Sequence, residues 1–421
     1  MSNFARIVAA TFVFALAGLP AVAADAKSAE LRVVSPKCEY TTDPLGVDVA
    51  QPRLYWRVES GERGQRQTAY QILVASSSDL LAQDRGDFWD SGRVESSETA
   101  HLRYTGNKLT SSQQVFWKVR SWDQDGKITA WSTPATWTMG LLDKTDWKGI
   151  WIAAPAATET VLLRKDFTVG PKLRRALVHV TGLGQYEMTL NGTRVGQDLF
   201  TPGWTNYDET ALYDTYEVTN QLKEGGNAVG LNVGNSMYHV VRRNRFAKFT
   251  NSFGPLKAIM HLRLEYTDGR VEYVGTNDSW RTHAGPNPFA SIYGGEDFDA
   301  RLVQKGWDQP GFKAQGWRPA VPVMQVDTTL RGLTSVHPSS IELMQSYAAG
   351  RLSMFRRVRI PNALPHMFTG LKVATEASTA TRTATAIPAA DHEWSRGRTA
   401  SSRRRSVSMT VNSVRTETAP A

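Results

Sequence analysis

The 421 residues carry 49 Lys and Arg against 40 Asp and Glu, a formal charge of +9, with 41% hydrophobic residues and one cysteine. That length and apolar content suffice for two or three packed domains, and a lone cysteine excludes an internal disulfide. The charge does not point to nucleic acid: residues 351–421 hold eleven Arg and one Lys against four acids, a balance of +8, which leaves +1 for all the rest.

In chain order, Arg6 precedes an apolar run over 7–19, then Pro20 and Ala21-Val22-Ala23, the pattern of a secretory signal peptide occupying 1–24. A run of 13 residues falls short of the ~20 that a membrane-spanning helix requires. The expectation is an exported protein, periplasmic or extracellular, with no membrane association after cleavage. Cys38 is expected to be a buried small hydrophobe.

Residues 30–142 alternate short apolar runs with turn residues, as in "RLYWRVES" (53–60), "AYQILVASS" (69–77) and "QVFWKVRSWDQDG" (114–126). In the last, Val115, Trp117 and Val119 share one strand face, and Asp125-Gly126 turns the chain into "ITAWS". About seven strands at this spacing predict an immunoglobulin-like or fibronectin-III-like β-sandwich. Residues 147–326 repeat the pattern with longer strands. Asn191-Gly192 and Asp268-Gly269 sit between alternating runs and mark hairpins, because both residue types of such pairs tolerate positive φ; a jelly-roll-like β-sandwich is the natural reading. The fold class is therefore all-β. From 343 to 421 the composition changes: residues 374–421 hold 26 Ala, Ser or Thr among 48, and six of Val, Ile, Leu, Met, Phe or Trp. That is too little apolar surface for a core, so a largely disordered basic tail is expected. Its "SRRRS" carries charge without interleaved aromatics to stack on bases, and nucleic-acid binding is not expected.

Several strings resemble the N-terminal half of bacterial α-L-rhamnosidases, the glycoside hydrolase family with a six-hairpin (α/α) catalytic barrel. They include "FWKVRSWDQDG", "WIAAP", "LRKDFTV", "VTGLGQYEMTLNGTRVGQDLFTPGWTNYDETALYDTYEVT", "GNSMYHV", "SFGPLKAIMHLRLEYTDG" and "SIYGGEDFDAR" through "GWDQPGF". The resemblance implies a fibronectin-III-like sandwich followed by the family's N-terminal β-sandwich. In some relatives the latter acts as a rhamnose-binding module that uses calcium. It also implies hydrolysis of terminal α-L-rhamnosides with inversion, an acid protonating the glycosidic oxygen while a carboxylate activates water. That acid and base belong to the barrel, which has no counterpart in these strings. After "TTLRG" the chain departs from the family's pattern, as an out-of-frame reading of a GC-rich gene would, and a truncated rhamnosidase is expected.

Three carboxylates, Glu296, Asp297 and Asp299, follow a Gly-Gly pair. On an extended strand Asp297 and Asp299 would share a face roughly 6.5–7 Å apart, a spacing compatible with a hydrolytic pair but common to any D-x-D strand. In the resembling family this stretch is non-catalytic, so a domain contact is the preferred reading and hydrolysis by these residues the alternative. Carboxylates could also hold calcium, although no defined ligand loop is present. For sugar binding, which combines aromatic faces with amides and carboxylates, the candidates are Asn191, Asp198, Trp204, Asn206 and Tyr207, with Asp208 beside them, and a second patch of Asn235, Tyr238 and His239. The competing reading places Trp204 and Tyr207 in the core and makes Asn191 a turn residue. The histidines lack zinc spacing, and no GxSxG, P-loop or dinucleotide fingerprint occurs. The functional expectation is a pair of ancillary domains that bind a rhamnose-containing glycan weakly. The alternatives are a working α-L-rhamnosidase or a structural fragment without activity of its own.

Overall fold

A computed structural model describes residues 30–240, 251–292, 294–324 and 326–332. The expected signal peptide at 1–24 and the expected tail at 343–421 lie outside the described residues.

The strands Ala69–Ala75 and Gln114–Trp122 pair antiparallel at the centre of a five-stranded sheet, which Trp89–Asp90, Val94–Glu95 and Ala135–Thr138 complete. A three-stranded sheet of Arg32–Cys38, Arg53–Glu59 and Leu102–Arg103 closes the first sandwich. The period-2 alternation works as expected, since Val115, Trp117 and Val119 are all inaccessible and pack with Leu54, Trp56, Ile72, Val74 and Trp137. Trp137 meets Trp117 and Tyr104 edge-on, the favoured geometry for aromatic pairs. Cys38 is buried in the same core, and burial pushes its thiol pKa up, which suits an inert residue. On the other face of the five-stranded sheet lies the short helix Ser78–Ala82, whose N-cap Ser77 accepts the Leu80 N–H. Lys118 reaches up from the sheet to the Leu81 carbonyl and pairs with Asp84, which explains a lysine ammonium in a nearly buried position.

The second sandwich consists of two larger sheets. One runs in the order Thr193–Arg194, Gln185–Leu190, Gly225–Gly234, Thr160–Val169, Arg281–Ala284 and Arg318–Pro319. Opposite it are Val321–Pro322, Ile152–Ala153, Lys257–Tyr266, Leu173–Leu183, Thr210–Glu217 and Thr329–Gly332, with Val271–Gly275 also paired to Lys257–Tyr266. The chain passes between the sheets repeatedly, the habit of a jelly-roll-like sandwich. Inward residues of the two sheets, among them Val161, Leu163, Val229, Leu231 and Val233 against Val178, Val180, Ile259, Leu262 and Leu264, form one core. Thr329–Gly332 runs parallel to Thr210–Glu217 and carries this sandwich past the expected boundary at 326.

Both expected hairpins form. Asn191 and Gly192 have φ of 52° and 77° between Gln185–Leu190 and Thr193–Arg194, and Gly269 has φ of 85° between Lys257–Tyr266 and Val271–Gly275. Buried hydrogen bonds join the sandwiches to each other. Leu141 N–H donates to the Tyr213 hydroxyl at 2.8 Å, Arg175 Nη2 to Thr138 Oγ1 at 2.8 Å, and Ser112 Oγ lies 3.1 Å from His179 Nε2.

Candidate functional site

Along Gln185–Leu190, Tyr186, Met188 and Leu190 point into the core, so Gln185 and Glu187 must face outward. The neighbouring strand obeys the same rule: Val229, Leu231 and Val233 are inside, while Gly230, Asn232 and Gly234 face out. The register places Glu187 beside Asn232, and both Gln185 and Thr160 beside Gly234. Part of this outer face is covered, because the Trp307 ring lies on Gly230, where an added Cβ would come within 2.7 Å of it. The adjoining part is open. It forms the floor of a cleft of about 590 Å³.

Two loops wall the cleft. On one side stand Leu199 and Phe200, from the segment after Thr193–Arg194; on the other stand Ile292, Glu296 and Phe298, from the small hairpin Phe289–Ser291/Gly295–Asp297. Phe200 is 73% exposed and Phe298 62%, unusual for phenylalanine and sufficient to present ring faces. Three buried oxygens lining the cleft, Thr160 Oγ1, Asn232 Oδ1 and Asn235 Oδ1, have no hydrogen-bond partner. Asn235 is held by its amide nitrogen, which donates to Glu159 Oε2 at 2.6 Å and to the Ala290 carbonyl at 3.0 Å. Arg194 lines the cleft as well, 3.7 Å from Glu187 Oε1 and donating to the Asp198 carbonyl. The arrangement combines unpaired oxygen acceptors, carboxylates, one guanidinium and aromatic rims, a set that fits a small polyhydroxylated ligand.

Of the residues singled out from the sequence, the cleft gathers Asn235 and Glu296, which lie 61 positions apart in the chain. The others are placed elsewhere. Asn191 is committed to structure: its amide bonds the Gln221 carbonyl and Asn227 Oδ1, and its oxygen accepts the Ala228 N–H. Asn206 accepts the Glu209 and Thr210 N–H groups through its carbonyl and makes a turn. Asp198 Oδ2 accepts a hydrogen bond from the Tyr216 hydroxyl at 3.1 Å. Trp204 is 68% exposed but does not line this cleft. Tyr207 and Tyr238 are core residues whose rings meet edge-on at 5.2 Å, and they line a second cleft with Asp208. His239 Nδ1 lies 2.5 Å from Ser252 Oγ.

The three carboxylates sit in different local settings. The strand ends at Asp297, and Asp299 caps the 3-10 turn Ala300–Leu302, its side chain accepting the Arg301 N–H and pairing with the Arg301 guanidinium. That pairing holds its pKa below the usual carboxylate range. Asp299 itself keeps extended backbone, and its carboxylate is committed to Arg301. Glu296 accepts the Asn287 amide at 2.8 Å and faces the cleft. No group of three or more His, Cys, Asp or Glu placed to hold a metal occurs among the described residues.

Missed in the sequence were Thr160, Gln185, Glu187, Arg194, Phe200, Asn232 and Phe298. Strand alternation was the available signal for Gln185, Glu187 and Asn232. For the two phenylalanines there was none.

Residues 33–143 match the Rha78A-like N-terminal immunoglobulin domain, and residues 171–340 match the α-L-rhamnosidase N-terminal domain. The chain carries the N-terminal domains of the α-L-rhamnosidase family. An α-L-rhamnosidase of Formosa agariphila is 29% identical over 334 residues, covering 73% of this chain and 35% of its own length. The solved α-L-rhamnosidase from Dictyoglumus thermophilum aligns with a TM-score of 0.67 at 32% identity, over 72% of this chain and 35% of that one. That of Streptomyces avermitilis, complexed with L-rhamnose, gives 0.66 at 25% identity, over 71% and 45%. The chain thus spans about a third of the length of the Formosa agariphila and Alteromonas rhamnosidases it matches.

Proposed function

We propose that the two sandwiches are glycan-holding ancillary domains of an α-L-rhamnosidase, and that the cleft beneath Phe200 and Phe298 takes a rhamnose-containing glycan. The observation that carries this reading is the convergence of three unpaired buried oxygens beneath two exposed aromatic rings. Buried polar atoms normally find partners, and a sugar offers hydroxyls for the floor and an apolar ring face for the rim. The similarity to a rhamnosidase complexed with L-rhamnose supports rhamnose as the sugar. Binding should be weak, because the cleft is shallow and one ring buries little surface.

Titration of the purified chain with L-rhamnose, followed by thermal shift, tests the reading: a ligand that binds only the folded state raises the melting temperature. Absence of any rhamnose-dependent shift, or an equal shift in Phe200→Ala, would overturn it. The same titration with chelator and then with added calcium tests the calcium implied by the resemblance. Release of nitrophenol from p-nitrophenyl α-L-rhamnoside tests the alternative, a working hydrolase. Export is proposed from the N-terminal pattern alone, and N-terminal sequencing of the secreted protein checks it.

A further inference from the structure

The turn at 235–238 serves two clefts. Asn235 and Ser236 line the one described above, whereas Tyr238 lines a second, of about 420 Å³, together with Leu183, Tyr207, Asp208, Phe253, Lys257 and Asp327. Its wall is aromatic: the Tyr238 and Phe253 rings stack at 5.9 Å with an interplanar angle of 26°, and Tyr207 meets both edge-on. Lys257 is the polar centre. Its Nζ donates to the Tyr238 hydroxyl at 2.8 Å and to the Pro255 carbonyl at 3.0 Å, and lies 5.2 Å from the Tyr238 ring centre. An ammonium has three N–H donors, and among the described residues two of them have partners.

Burial pushes the Lys257 pKa down, and Asp208 and Asp327 line the same cleft. A partly buried cation stabilises an anionic oxygen brought to it. Two carboxylates in the lining disfavour a dianion such as phosphate, and Asp208 is a suitable acceptor for hydroxyl hydrogens. A ligand matching all these groups carries a single negative charge, several hydroxyls and an apolar ring face.

We propose that this second cleft binds an acidic sugar of the uronate class, its carboxylate on Lys257, its hydroxyls toward Asp208 and its ring against Phe253. The site is separate from the rhamnose cleft and does not depend on that reading.

The test is titration of the full chain with sodium glucuronate, followed by calorimetry and by the aromatic proton signals of Tyr and Phe. Glucose, the ring without the carboxylate, and acetate, the carboxylate without the ring, serve as comparators. Expected is binding of glucuronate that weakens with added salt, falls about tenfold or more in Lys257→Met, and persists in Lys257→Arg and in Phe200→Ala. Should Lys257→Met fail to fold, the Arg variant and the ranking of the three probes still decide. Glucose binding as tightly as glucuronate would remove Lys257 as counter-ion and overturn the proposal. So would acetate competing equally, or loss of binding in Phe200→Ala, which would place the sugar in the first cleft.

Discussion

Acidification from about pH 7 to about pH 4 is expected to weaken the second sandwich through two buried histidines. His179 and His261 face each other edge-on at 5.5 Å, between Leu173–Leu183 and Lys257–Tyr266. His179 Nδ1 lies 2.9 Å from Thr215 Oγ1 and its Nε2 3.1 Å from Ser112 Oγ of the first sandwich. His261 Nδ1 faces the Lys148 N–H at 3.4 Å, and its buried Nε2 has no partner. The charged groups around the pair are Arg263, Arg175 and Lys148, against Asp146 alone. Burial, then this positive surround, holds His179 well below the ordinary histidine value and brings His261 from 6.5 to about 4. Both groups are bases with depressed folded-state pKa values. As pH falls through about 6.5 the unfolded chain takes up protons that the folded protein refuses, so stability drops until His261 titrates near 4. For His261 the gap of about 2.5 units corresponds to about 3 kcal/mol at full development, and His179 acts in the same direction. Asp214, buried with a raised pKa, acts in the opposite direction, so the comparison must be between variants rather than across pH alone. Urea unfolding of wild type and His261→Gln at successive pH values isolates the contribution of His261: the variant's stability should fall less steeply below about pH 6.5. An unchanged slope would refute the reasoning.

Gly230→Ala should destabilise by about 1–3 kcal/mol in urea titration, since the added methyl meets Trp307 Cη2 at 2.7 Å and Thr189 Oγ1 at 2.8 Å. Trp137→Ala, which empties the middle of the first core, should lower stability by about 3–5 kcal/mol. Tyr213→Phe strands the buried Leu141 N–H at the junction of the sandwiches and should cost about 1–3 kcal/mol by the same measurement. Phe298→Ala removes an exposed ring from the rhamnose cleft; rhamnose-dependent stabilisation should fall while the unliganded melting temperature stays within a degree or two, because surface truncations away from the core change little.

The sequence by itself determined the all-β class, the paired sandwiches, the Asn191-Gly192 and Asp268-Gly269 hairpins and the buried face of Gln114–Trp122. These follow from local rules: a strand's period of two decides which residues turn inward, and positive φ decides which residues make tight turns. The family was legible for the same reason, through strings of adjacent residues. The sites were not local. Asn235 and Glu296 share a cleft because two strands and a distant hairpin converge; Tyr207 and Tyr238, taken from the sequence as sugar-site candidates, proved to be core rings bordering another cleft. Asp299 caps a 3-10 turn, a role that its D-x-D setting does not announce. The covering of Gly230 by Trp307, and the absence of such a cover over Asn232 and Gly234 among the described residues, were decided only in three dimensions. Side chains that face outward look alike in sequence, and what lies above them depends on loops contributed from far along the chain.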